Sequence, residues 1–138
     1  MKREIKFRGR CAASNEWVFG DLIHGVASKN GNLYILPNQK NLAYVKHCDP
    51  LDGVKIIIET LGQFTGLSDK SGKEIYEGDI WFDDDLAGEV IFNKCRFEIN
   101  WGNGSNGCLH TNVTTTLFGK IIGNIYDKHP NSPTQLPV

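Results

Sequence analysis

Charged and apolar residues alternate at the start of the chain, with Ile5 and Phe7 set between Glu4, Lys6 and Arg8. This period of two is that of a strand with one buried face. Residues 13–16 read as a turn, after which Trp17, Val18 and Phe19 restart a β run that Gly20-Asp21 bends and Leu22-Ile23-His24 continues. Asn30-Gly31 accepts the positive φ angles of a tight hairpin turn and predicts residues 25–28 and 33–36 as its arms, with Pro37 ending the second. Residues 54–61 fit a strand through β-branching or a short helix ahead of Gly62; a strand or single turn suits their early part better.

Residues 68–72 form a polar turn, and Glu77-Gly78-Asp79 a second, tighter one that launches Ile80-Trp81-Phe82. The cleanest strand follows, with Cys95, Phe97, Ile99 and Trp101 alternating against Arg96, Glu98 and Asn100, and residues 90–92 as its partner. A glycine-rich connection covers residues 102–107, and apolar runs at 109–117 and 120–126 complete the pattern. Residues 129–138, with Pro130, Pro133 and Pro137, read as a disordered tail. Short strands between frequent turns predict a mainly β protein. Its N-terminal β meander, residues 1–61, packs on a small C-terminal β-barrel, residues 62–128, with at most one short helix.

The 138 residues suit one domain or two small, closely packed subdomains, and 40% apolar against 22% charged residues is a globular composition. With 15 Lys and Arg against 16 Asp and Glu, no net field draws the whole molecule to nucleic acid or anionic lipid. No apolar run has the length of a signal peptide or membrane span, so a cytoplasmic protein without membrane association is expected. Cys11, Cys48, Cys95 and Cys108 form no Cys-x-x-Cys pair and read as small core residues.

Local chemistry offers three candidates. Lys2, Arg3, Lys6, Arg8 and Arg10 oppose one acid, Glu4, within ten residues, a strip able to meet phosphates; the nearby Phe7, Trp17 and Phe19 read as core rather than as a base-stacking platform. His47-Cys48 and Cys108-Leu109-His110 would supply metal ligands if they converged, but zinc-finger spacing is absent and no metal or other cofactor is expected. Asp83, Asp84 and Asp85 lack the spacing of a calcium loop, and Glu74, Glu77 and Asp79 suit turn capping as well as acid–base work. No nucleophile motif is present, and no catalytic residue is assigned.

The blocks REIKFRGR (residues 3–10), EWVFGDLIHG (16–25), GQFTGLSDKSGKEIYEGDIW (62–81) and IIGNIYD (121–127) together resemble the YopX-like family of bacteriophage and prophage proteins. Their occurrence in this order is more specific than any one block. The resemblance implies a mainly β fold and residence in the bacterial cytoplasm, and it implies no catalytic residues. The expected role is a non-enzymatic interaction module that binds a host or phage protein. Strand edges would permit a homo-oligomer, and nucleic-acid binding through the basic strand or a metal-dependent enzyme are the rival readings.

Overall fold

Strands form where apolar side chains recur at every second position, and glycines mark the places where backbones approach. The computed structural model describes residues 4–24, 31–37, 48–49, 53–83, 86–102, 106–108 and 119–127. The chain divides into two compact units, Met1–Gln63 and Phe64–Val138.

In the first unit the strands are β1 (Phe7–Arg10), β2 (Trp17–Ile23), β3 (Tyr34–Pro37), β4 (Cys48–Asp49), β5 (Gly53–Lys55) and the opening residues of β6 (Gly62–Ser68). They pair antiparallel in the order β4-β5-β3-β2-β1-β6. One face buries Cys11, Val18, Ile35, Val54 and Ile56, with Phe7, Leu33 and Leu61 packed around them. The sheet curls back on itself, because Cys11 bridges Ile56 and the Ile57 N–H donates to the Arg10 carbonyl at 2.8 Å. Gly9 makes the curl possible, since a Cβ there would lie 2.7 Å from Ile56 Cδ1. A single 3-10 turn, Ile58–Thr60, follows; the Thr60 hydroxyl donates to the Ile57 carbonyl and accepts the Arg10 N–H, tying the turn to β1.

The partner of β3 differs from the expected one. β3 pairs with the end of β2, Leu22 opposite Ile35 and Ile23 opposite Tyr34. That register sets Leu22 on the same face as the buried Ile35 and Val54, and hydrophobic match fixes it. The expected first arm, residues 25–28, lies outside the described residues.

In the second unit the end of β6 pairs with β7 (Glu74–Tyr76). A five-stranded antiparallel sheet runs in the order β11-β10-β9-β8-β12, built from β8 (Asp79–Asp83), β9 (Leu86–Asn93), β10 (Arg96–Asn100), β11 (Asn106–Cys108) and β12 (Lys120–Asn124). Its core holds Ile75, Trp81, Val90, Ile99 and Ile121, with Leu67 and Trp101 against them. The mainly β class is as read from the sequence, but among the described residues this sheet does not close into a barrel: β11 and β12 are its two ends. The Ile121 N–H of β12 donates to the Asp69 carboxylate at 2.9 Å, so a side chain holds a group that a closing strand would take.

A further expectation is corrected in this unit. Lys94 and Cys95 adopt φ of 49° and 65° and form the two-residue turn between β9 and β10, so Cys95 is an exposed turn residue rather than a core one. Cys11 is buried as read. Glu98, on the polar side of the alternation read from the sequence, is 2% exposed, and its carboxylate accepts hydrogen bonds from Arg96 Nε at 2.6 Å and Asn93 Nδ2 at 3.1 Å. The tail, residues 129–138, lies outside the described residues, and no described helix is long and apolar enough to cross a membrane.

Candidate functional site

Register places the basic residues of β1 and the aromatics of β2 on one face. Arg8 opposes Phe19 and Arg10 opposes Trp17, and directly opposed residues share a side of the sheet. This side turns away from the core of the first unit and also carries Asp21, Ile23, Tyr34 and Leu36 by the same alternation. The Arg8 guanidinium lies 4.5 Å from the Trp17 ring centroid and that of Arg10 4.8 Å, so both cations stack on one indole. Such contacts contribute about 0.5–2 kcal/mol each, more as they lose water. Arg10 also donates through Nη1 to the Asn15 carbonyl at 3.2 Å, in a turn where Asn15 adopts φ of 62°.

The basic strip of the sequence is therefore distributed. Lys2 and Arg3 lie outside the described residues. Lys6 pairs with Glu4 at 3.4 Å, while Arg8, only 5% exposed, and Arg10 lie along Trp17. Phe7 packs against the core as read, but Trp17 and Phe19 stand on the outer face, and Phe19 is 43% exposed. Sequence reading missed this stack. Its signal was present in two arginines at i and i+2, across a short turn from a tryptophan on the next strand.

The residues of the 62–81 block are occupied in holding the second unit. Asp69 Oδ1 accepts the Ser71 N–H at 2.9 Å, the Ser71 hydroxyl at 2.7 Å and the Lys73 N–H at 2.9 Å, while Oδ2 accepts the Ile121 N–H. Burial alone would raise the Asp69 carboxyl, but these donors outweigh it and hold the group below its ordinary value. Thr65 donates to the Ile75 carbonyl and accepts the Leu67 N–H across the bulge in β6. Asp79 Oδ2 accepts the Tyr76 N–H at 2.8 Å. Gly78, at φ of 86°, donates to the Val90 carbonyl and accepts the Ile125 N–H beneath Tyr126. Glu74 accepts the Tyr76 hydroxyl at 2.9 Å.

Other polar groups stand apart from these. Glu89, half-buried on β9, has its carboxyl raised by desolvation. Burial also works to raise the Cys11 thiol, but donation from the Ser14 hydroxyl and the Ser14 and Ala13 N–H groups gives a net lowering. Of the metal candidates, His47 and His110 lie outside the described residues, while Cys48 falls in β4 and Cys108 in β11. Among the described residues no group of three or more His, Cys, Asp or Glu is placed to hold a metal ion. Asp84 and Asp85 lie outside the described residues, as do residues 103–105 of the glycine-rich connection.

Two antiparallel β units, the first curled through a single bridge and the second braced by buried turn carboxylates, define the class of the protein. The chain belongs to the YopX family: the model described as YopX protein matches residues 6–131. No curated protein matches it.

Proposed function

We propose that the chain is a non-enzymatic interaction module that binds another protein, encoded by a bacteriophage or by its bacterial host, in the host cytoplasm. The observation that carries this reading is the outer face of the first unit, where the Arg8 and Arg10 guanidiniums lie against the Trp17 ring beside the exposed Phe19. Tryptophan, arginine and tyrosine dominate the energetics of protein interfaces, and Tyr34 lies on the same side of the sheet. The stack orders its long side chains before any partner arrives, which lowers the entropy cost of docking. Membership of the YopX family supports the phage setting, which is what the resemblance implies.

The test is capture of partners from bacterial lysate on the tagged full chain after nuclease treatment. A defined protein should be retained by the wild type and lost with Phe19→Ser. Recovery of nucleic acid alone, abolished by nuclease, would overturn the reading in favour of the basic strand as a phosphate-binding site. Retention indifferent to Phe19→Ser would remove this face as the binding surface.

A further inference from the structure

Arg10 is held from a place that the outer face does not include. Its N–H donates to the Thr60 hydroxyl at 2.8 Å, and its carbonyl accepts the Ile57 N–H at 2.8 Å. Both backbone groups therefore point away from β2, so Arg10 and Trp17 form a non-hydrogen-bonded pair, the kind in which opposed side chains stand closest. The next residue agrees with this alternation, since the Cys11 N–H donates to the Glu16 carbonyl at 2.8 Å. The height of Arg10 over the indole is set from the other edge of β1.

On that edge β6 accompanies β1 as far as the Arg8–Gly62 pair. Beyond it lies the turn Ile58–Thr60, and a side-chain oxygen stands where a strand would offer a carbonyl. Thr60 is 6% exposed, and its hydroxyl donates to the Ile57 carbonyl at 2.6 Å. With that proton committed, the oxygen is left to accept the Arg10 N–H. The far end of Arg10 is held as well, because Nη1 donates to the Asn15 carbonyl at 3.2 Å. Asn15 sits at φ of 62°, a left-handed conformation that asparagine and glycine tolerate and β-branched residues do not.

We infer that Thr60 is a positioning residue for the binding face: it holds Arg10 on Trp17 through the main chain, with Asn15 as its counterpart at the guanidinium. The inference rests on the proposed function and deepens it, since a buried side chain 50 positions along the chain becomes part of how the face is built. Thr60→Val keeps the shape of the side chain and removes the acceptor, so the Arg10 N–H turns to another partner and carries its side chain with it. Thr60→Ser keeps the acceptor.

Proton–nitrogen NMR spectra of the purified full chain test this without a partner. The Trp17 indole N–H and the Arg10 Nε–H are assigned by their disappearance in Trp17→Phe and Arg10→Lys, and the ring current of Trp17 should shift the Arg10 signal upfield. Thr60→Val should return the Arg10 signal toward that of a free arginine and move the Trp17 indole. The indole of Trp81, in the core of the second unit, should stay in place and so report that the chain is folded. Thr60→Ser should keep both wild-type positions. Asn15→Val, in an exposed turn, should loosen the stack from the other end, and Asn15→Gly should not, which keeps the test open if Thr60→Val fails to fold. Partner capture should follow the Arg10 signal, reduced for the two valine variants and kept for Thr60→Ser and Asn15→Gly. A wild-type Arg10 signal without the upfield shift, wild-type Arg10 and Trp17 signals in either folded valine variant, or loss of them in Thr60→Ser would overturn the inference. A loosened stack with full capture would instead overturn the binding face and leave the positioning of Arg10 intact.

Discussion

The Asp69 carboxylate gathers three backbone N–H groups and a hydroxyl. Asp69→Asn places an amide donor against one of those donors and should destabilise the second unit by about 3 kcal/mol, read as a lower urea midpoint at pH 7. The pH dependence follows from the depressed carboxyl. Its contribution is fully present above the ordinary aspartate value of about 4 and is lost as pH falls through the lower folded value. The gap between wild type and Asp69→Asn should therefore narrow in acid. Glu89 carries the opposite sign: its raised carboxyl costs stability once pH exceeds the ordinary glutamate value, in full above the folded one. Glu89→Gln should be more stable than the wild type at pH 7 and equal to it at pH 3, compared in paired denaturation curves.

At the scale of elements, Gly78 shows why a turn signal can be specific without being chemical. Its φ of 86° is strained for other residues, and an added Cβ would lie 2.8 Å from Tyr126 Cε2. Gly78→Ala should cost about 2 kcal/mol by thermal denaturation. The turns at residues 68–72 and 77–79 were legible in the sequence because glycine and aspartate dictate local geometry there. The Lys94-Cys95 turn was not, since neither residue advertises positive φ and the alternation ran unbroken through Cys95. The burial of Glu98 was not legible either. Alternation tells which residues share a face but not whether that face is covered, and here two neighbours on the same hairpin satisfy the buried carboxylate. The Arg8–Trp17–Arg10 stack escaped for want of register, which a turn of uncertain length leaves open until the pairing is known.

For the whole molecule, the family blocks and the candidate binding face answer different needs. The 62–81 block holds the second unit through side-chain hydrogen bonds, whereas the outer face of the first unit presents an exposed aromatic beside an ordered cation stack. Family membership was legible because the first kind of residue is fixed by backbone geometry, while nothing in that geometry specifies a partner. Phe19→Ser should cost about 1–2 kcal/mol by thermal denaturation, because at 43% exposure the ring is still partly covered, and leave the chain folded. The most direct measurement is nuclease-treated partner capture by Asp69→Asn and Phe19→Ser side by side, at a temperature where both are folded. Asp69→Asn should retain the partner protein at the wild-type level and Phe19→Ser should lose it. Loss of the partner by folded Asp69→Asn, with full retention by Phe19→Ser, would contradict the account and move the binding surface to the second unit.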